Sequence, residues 1–418
     1  MLTKAPRGTK DITPQDSYKW QYVENKIHDL CNRFGYKEVR TPVFEHTELF
    51  ERGVGDTTDV VQKEMYTFED KGNRSITLRP EGTAGVVRCF LENNLYANIQ
   101  PTKLYYLSSC YRYEKPQAGR LREFHQFGVE AFGSPAPSID AEVISLAIGL
   151  LSELGVKELK LFVNSIGCPT CRVEYDKKLR EYFNNEIDRL CETCKTRLEK
   201  NPMRIIDCKV PLCGEIGKGA PKILNEQCET CTNHYNELKK HLDIMSIAYE
   251  IDDTIVRGLD YYTTTVFEIK SEGLVVSGGG RYDGLVEELG GVKTPGVGFG
   301  LGLERLLIVL ENQGLLPPNP DNIKLYIANM GEVADLAAQR LVYELRKIGI
   351  SAEKDLMKRS FKKQMIYADK IGAKFIIVLG DDEISSGIAQ LKNMSTGEQT
   401  QIELSNLQNI ISIINEEE

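Results

Sequence analysis

Residues 105–132 read YYLSSCYRYEKPQAGRLREFHQFGVEAF, and the fold turns on how this stretch doubles back. Its first arm, residues 104–113, is rich in Tyr and Leu, which suit a pleated, half-buried surface. Its middle, residues 114–122, holds the turn formers Pro116 and Gly119 among basic residues. The return arm, residues 123–132, alternates, and side chains along a strand point to opposite faces in turn. The pattern predicts a β-hairpin with a basic loop at its tip. Phe124, Gln126, Gly128, Glu130 and Phe132 then share one face, and Arg112 stands near the end of the opposing arm. An Arg and a Glu on paired strands also make an ordinary cross-strand ion pair. Glu130 is more telling, because between Val129 and Ala131 an unpaired carboxylate is costly. It requires a partner, in the protein or in a ligand.

The 418 residues around this hairpin suffice for two or three domains. Apolar content of 41% and charged content of 27% are those of a soluble globular protein. The net charge of −9 excludes a general attraction to nucleic acid, so RNA binding needs local basic surface. The N-terminus has no apolar core for a signal peptide, and no apolar run is long enough to span a bilayer. The chain reads as cytoplasmic.

Four further stretches frame the hairpin: PRGTKDITP (6–14), LRPEGTAGVVR (78–88), VRGLDYYTTTVFE (256–268) and GVGFGLGLERL (296–306). Thr13-Pro14 reads as a helix start, with Trp20, Val23, Ile27, Leu30 and Phe34 at helical spacing and Gly35 as the stop. A short strand at 36–40 follows, broken by Pro42. Residues 65–68 and 75–78 flank a turn at 70–73, and a helix follows Thr83. Helix 140–154 and strands 159–163 and 244–251 come next, with a loop at 257–262 and a strand at 263–269. SGGGRYD (277–283) reads as a glycine-rich turn; it lacks the Gly-Lys-Ser/Thr end of a P-loop and the spacing of a dinucleotide fingerprint. Gly296, Gly298, Gly300 and Gly302 alternate with apolar residues, giving a strand with one bare face against which a flat ligand can lie. Arg305 then sits in the first turn of a helix, where a cation is unfavourable without an anionic partner.

Together these stretches resemble class II aminoacyl-tRNA synthetases, in the form carried by histidyl-tRNA synthetases. Residues 105–132 resemble motif 2, residues 296–306 motif 3, and residues 256–268 a histidine-specific motif. The helix–strand–Pro unit resembles motif 1, the family's dimer interface; a plain core helix has the same pattern. The resemblance implies an α+β catalytic domain, with a mostly antiparallel sheet flanked by helices, over residues 1–320. It implies an insertion, here cysteine-rich, at 168–235, and a C-terminal α/β anticodon-binding domain at 323–418 beyond the Pro-rich linker LLPPNPDN (315–322). The implied activity is that of a histidine--tRNA ligase using L-histidine, ATP, Mg²⁺ and tRNA(His), as a homodimer. By resemblance Arg112 and Arg257 are catalytic and grip the α-phosphate. Arg120 and Arg305 hold the outer phosphates, and Glu114 belongs to the ATP site. Glu81, Gly82, Thr83 and Gln126 bind the amino-acid backbone, while Glu130, Tyr261 and Tyr262 face the imidazole. For Glu81 a plain reading stands beside this one, an acidic residue in a helix's first turn. For the Tyr pair the plain reading is packing.

Eight of the eleven cysteines are Cys168, Cys171, Cys191, Cys194, Cys208, Cys213, Cys228 and Cys231. Three C-x-x-C pairs and one wider pair supply enough thiolates for two four-coordinate structural zinc sites. The other reading is a helical insert with buried reduced thiols. Zinc is not part of the general family pattern. Beyond residue 322, strands at 324–328, 351–353 and 375–379 alternate with helices at 332–348 and 361–371, then a strand pair and a last helix. This is a small α/β domain with a largely parallel sheet. Residues 354–374 carry Lys354, Lys358, Arg359, Lys362, Lys363, Lys370 and Lys374, a net +5 that suggests phosphate contacts or a solvated helix face.

Two rivals remain on sequence alone. One is an inactive paralogue like the regulatory subunit of ATP phosphoribosyltransferase, which lacks the anticodon domain. The other is a zinc-dependent nucleic-acid-binding module. The full set of Arg112, Arg257 and Arg305 favours the enzyme.

Overall fold

A computed structural model describes residues 3–55, 58–319 and 323–416. Residues 320–322 of the expected linker, and the chain ends that bound the expected domains, lie outside the described residues. The chain divides into two compact units, Met1–Pro317 and Pro318–Glu418.

The first unit begins with helix α1 (Pro14–Phe34), with Pro14 in its first turn and Gly35 closing it in the left-handed conformation at φ 76°. Thr13 holds the N-cap position without a side-chain bond to the helix. Strand β1 (Lys37–Glu38) follows. Strand β2 (Phe44–His46), helix α2 (Thr47–Val54) and strands β3 (Tyr66–Glu69) and β4 (Ser75–Leu78) come next; the three strands form a small antiparallel sheet in the order β2-β4-β3. Helix α3 (Thr83–Glu92) leads to the hairpin, β5 (Thr102–Tyr111) and β6 (Glu123–Phe132). Then come α4 (Pro137–Glu153) and β7 (Lys160–Ser165). Four helices follow: α5 (Pro169–Asn184), α6 (Glu192–Lys200), α7 (Pro211–Lys218) and α8 (Glu229–Ile244). The unit ends with β8 (Glu250–Ile251), β9 (Thr263–Ser271), β10 (Leu274–Arg281), the short α9 (Leu285–Glu288), β11 (Gly296–Gly302) and α10 (Leu303–Asn312).

Eight strands form one sheet, ordered β1-β5-β6-β11-β10-β9-β7-β8. Only the two edge pairings, β1 with β5 and β7 with β8, are parallel. One face carries Phe127, Val129, Val297, Phe299 and Leu301 into a core with α1, α4, α8 and α10. Phe127 meets Phe299 edge-to-face at 5.4 Å. That core fixes the register, since a one-residue slip would turn these side chains to the other face.

Two expectations are corrected here. Residues 277–280 are not a turn but the centre of β10, with Gly278 opposite both Glu268 and Gly300. Glycine usually punctuates chains; in this run it serves close approach, and strand pairing on both sides overrides its weak strand preference. Residues 244–249 are not strand either. Helix α8 runs on to Ile244, Ser246 takes a left-handed φ of 56°, and the Ile247 amide returns to the Leu242 carbonyl at 3.0 Å. That six-to-one bond closes the helix and leaves only Glu250–Ile251 to pair.

The second unit has strands β12 (Leu325–Asn329), β13 (Ala352–Lys354), β14 (Phe375–Leu379), β15 (Ile388–Asn393) and β16 (Gln399–Glu403). They pair in the order β13-β12-β14-β15-β16, and the first two pairings are parallel while the last two are antiparallel. The sheet is therefore mixed rather than largely parallel, because β15 and β16 form a hairpin on its edge. Its helices are α11 (Glu332–Lys347), α12 (Phe361–Lys370), α13 (Asp381–Ser386) and α14 (Leu407–Glu416). Helix α13 is not anticipated by apolar periodicity; Glu383 caps it by accepting the Gly380 amide at 2.9 Å. Among the described residues no helix is long and apolar enough to cross a membrane.

Candidate active site

The free face of the large sheet is floored by glycine. One rung runs Tyr106, Gly128, Gly300, Gly278, Glu268 and Phe162 across six strands. The adjacent rung runs Leu104, Glu130, Gly298, Gly280, Val266 and Asn164. The bare surface expected from β11 alone thus extends over β6 and β10. Functional side chains press against it. A Cβ built on Gly300 would stand 2.0 Å from Gln126 Nε2, one on Gly298 2.1 Å from Glu130 Oε2, and one on Gly278 2.4 Å from Arg257 Nη1.

Above the floor lies a cavity of about 850 Å³. Arg112, Glu114, Arg120, Gln126, Arg257 and Arg305 all line it. Arg112 is aimed by donating from Nε to the Pro80 carbonyl at 2.8 Å. Arg257 donates from Nη1 to Glu268 at 2.7 Å, while its buried Nε has no hydrogen-bond partner. Arg305 donates to the carbonyls of Val275 at 2.9 Å and Gly119 at 3.3 Å. Burial, and then the nearby Arg120 and Arg112, hold the Arg305 guanidinium below its ordinary pKa. Cations brought this close are stabilised by an anion. Glu114 accepts from Arg120 at 3.1 Å and so belongs to the same group.

Glu81, Gly82, Thr83, Glu130, Tyr261 and Tyr262 do not line that cavity; they form a closed cluster behind it. Glu130 is 1% exposed and accepts from Thr83 Oγ1 at 2.7 Å, from Tyr106 at 3.5 Å and from Tyr282. The partner required by sequence is therefore a set of hydroxyls. Burial raises the Glu130 carboxyl from 4.5 to about 8, against the pull of the Tyr282 and Thr83 hydrogen bonds. Glu81 lies just before the N-cap Gly82 rather than in the first turn of α3, and it accepts the Thr83 and Ala84 amides at 2.7 and 2.8 Å, satisfying two of the helix's free N–H groups. The Tyr106 ring fills the space between Gly82 and Gly128, where a Cβ on either would come within 2.3 Å of it. Tyr261 packs against Tyr262 at 4.6 Å and Tyr282 at 5.6 Å.

Sequence reasoning missed Tyr106 and Tyr282 as partners of Glu130. The signal for Tyr106 was a bulky ring in register with a glycine, Gly128. It also missed Glu268, whose alternation on β9 places it on the cleft side.

The eight cysteines form two groups: Cys168, Cys171, Cys228 and Cys231, and Cys191, Cys194, Cys208 and Cys213. Within each group all sulfurs lie within 4.8 Å of one another. Observed separations are 3.6, 3.8 and 4.0 Å in the first and 4.0 Å in the second. Four sulfurs about 2.3 Å from one zinc ion would stand about 3.8 Å apart, so the donor sets fit a tetrahedral ion. The amides of Cys228 and Cys191 donate to the sulfurs of Cys171 and Cys213 at 3.1 and 3.2 Å, which suits thiolates.

In the second unit, Lys354 is buried and donates to Asp335, and Arg359 pairs with Asp355 at 2.7 Å. These two cations serve internal pairs. Lys358, Lys362, Lys363, Lys370 and Lys374 are exposed.

A family model described as histidyl-tRNA synthetase matches residues 8–170 and 218–306, and one described as anticodon binding domain matches 324–413. Residues 171–217, with the whole second thiol group, fall in the gap. The chain is 60% identical over 411 residues to a histidine--tRNA ligase of Acetivibrio thermocellus, covering 97% of this chain and 99% of that one. It is 57% identical over 412 residues to one of Clostridioides difficile, covering 97% and 98%. The crystal structure of apo S. aureus histidyl-tRNA synthetase superposes with a TM-score of 0.84 at 44% identity, covering 97% and 99%.

Proposed function

Because the chain belongs to the histidyl-tRNA synthetase family and joins histidine to tRNA with ATP, we propose that the adenylate forms in the cavity above the glycine floor. The observation that carries this reading is the meeting of Arg112, Arg257 and Arg305, from three distant segments, around one cavity. A histidine carboxylate oxygen attacks the α-phosphorus, and the bond to pyrophosphate breaks. Negative charge builds on a crowded phosphorus, and fixed guanidiniums stabilise it most where water is excluded. Arg112 and Arg257 take the α-phosphate, Arg120 and Arg305 the outer phosphates. Adenine lies on the bare backbone. Glu114, which lines the cavity, would hold Mg²⁺ beside the phosphates, where the ion would shield their charge.

Gln126, Glu81 and Thr83 receive the amino-acid backbone, and Glu130 with Tyr262 the imidazole. This requires the closed cluster to open towards Gln126, which stands four residues along β6 from Glu130 on the same face, with Gly128 between them. The 3′-terminal ribose oxygen then attacks the acyl carbon and AMP leaves. The second unit takes the anticodon stem of tRNA(His), with its exposed lysines towards phosphate. A homodimer is supported by the exposed Phe44 and Phe68 on the small sheet. Structural zinc in both four-thiol groups belongs to the same reading.

The test is histidine-dependent ATP–pyrophosphate exchange, followed by charging of a tRNA(His) transcript. Exchange with histidine but no other amino acid is expected. Exchange absent with histidine, magnesium and ATP present would overturn the assignment of the cavity.

A further inference from the structure

The loop between β8 and β9, residues 252–262, carries Arg257, Tyr261 and Tyr262 but has no helix or strand of its own. Its backbone is pinned instead by outside groups. Asn164 Nδ2 donates to the Ile255 carbonyl at 3.1 Å, and the Asp260 amide donates to the Val54 carbonyl at 3.1 Å. Two arginines of the cysteine-rich helices supply the remaining carbonyl contacts. Arg204 donates from Nη1 to the Arg257 carbonyl at 2.6 Å, and Arg172 donates from Nη2 to the Tyr262 carbonyl.

Both arginines are placed by the thiol groups. Arg172 follows Cys171 directly, in the first turn of a helix whose N-cap is Cys168. Arg204 lies in the turn Pro202–Ile205, between Cys194 and Cys208 of the second group. Arg197, on α6 with Cys194, holds the Arg204 carbonyl at 3.2 Å and Asp59 at 3.1 Å. Asn201 from the same turn donates to Asp260 at 3.1 Å. Arg204 is 6% exposed, and Arg172 is half-buried. Neither arginine makes a salt bridge among the described residues; Arg172 also donates from Nε to the Ile166 carbonyl at 3.3 Å, so both guanidiniums are directed at backbone carbonyls, which offset desolvation less than a paired carboxylate does. Such an arginine makes sense as a positioning device, provided its base is rigid. Cys171, Cys194, Cys213 and Cys231 are part of the insert's core, beside side chains such as Tyr175, Leu179 and Phe183, so tying the thiols together stiffens it from within.

We propose that two zinc ions, one in each four-thiol group, brace the 252–262 loop through Arg172 and Arg204, so that metal binding sets the geometry of Arg257 and Tyr262. This rests on the zinc reading above and adds that both arginines are positioning residues. The ions themselves touch no substrate.

Zinc content of the full-length protein, measured by mass spectrometry, should be two per chain. In Arg172→Met and Arg204→Met, zinc should stay at two while amide exchange across 256–262 accelerates. Histidine kcat/KM in pyrophosphate exchange should fall roughly 10²-fold, the scale of a 1 Å misplacement. Arg204→Met should act on kcat, through Arg257, and Arg172→Met on KM for histidine, through Tyr262. Lysine at either position should restore part of the loss. Cys194→Ser should release one zinc and reproduce the Arg204→Met phenotype. Wild-type exchange and kinetics in both methionine variants would overturn the brace while leaving the zinc reading intact. Zinc below one per chain would overturn the metal half. Because amide exchange is read without turnover, the brace is tested even if the adenylation reading fails.

Discussion

Arg257 donates to Glu268 at 2.7 Å directly over the bare backbone of Gly278. The carboxylate holds the guanidinium in place before any phosphate arrives. Replacing Arg257 by Ala should lower histidine-dependent pyrophosphate exchange by at least about 10³-fold, the upper range for losing one charge-stabilising donor. Histidine binding, followed by calorimetry, should change little. Exchange at the wild-type rate would remove Arg257 from the α-phosphate.

Gly278→Ala tests the same contact without touching the charge. The new methyl would stand 2.4 Å from Arg257 Nη1, so the guanidinium must move. The expected result is a fall of roughly 10²-fold in kcat for exchange, with an unfolding midpoint close to wild type. A variant with unaltered kcat would show that the arginine has room to spare.

Glu130 makes stability depend on pH. Its folded carboxyl titrates at about 8 instead of 4.5, so between those values the folded chain keeps a proton that the unfolded chain has lost. Its contribution is complete below about pH 4.5 and disappears as pH rises through about 8. Urea midpoints should therefore decline across this window in the wild type and decline less in Glu130→Gln. Parallel curves for the two proteins would place the proton elsewhere.

Much of this site could be read before any coordinates. The hairpin follows from alternation around Pro116 and Gly119, and β11 from glycines spaced by two. What could not be read depends on who meets whom. SGGG looked like a turn because glycine carries no strand signal; only pairing with β9 and β11 makes it a floor. The eight thiols allowed many pairings, and their sorting into first-with-last and two-inside needs the helices' mutual placement. Arg172 and Arg204 resemble any helix-surface arginine in sequence. Their burial is a property of the assembled insert. Glu130's hydroxyl cage was similarly invisible, since Thr83, Tyr106 and Tyr282 come from three separate elements.

Removing residues 323–418 should leave pyrophosphate exchange within about threefold of wild type while tRNA charging falls by orders of magnitude, since the residues proposed for adenylation all belong to the first unit. Charging by the truncated chain at the full rate would contradict an anticodon role for the second unit.

The glycine floor imposes opposite tolerances on adjacent positions. A Cβ at Gly128, Gly278, Gly280, Gly296, Gly298 or Gly300 would come within 2.4 Å of a neighbouring atom, which must then move, while Phe127, Val129, Val297, Phe299 and Leu301 on the reverse side fill a dry interior. Interiors of that kind accept swaps of equal volume. A saturation-mutagenesis profile along residues 296–301 should therefore look like a comb with a two-residue pitch, one tooth resisting added bulk and the next resisting its loss.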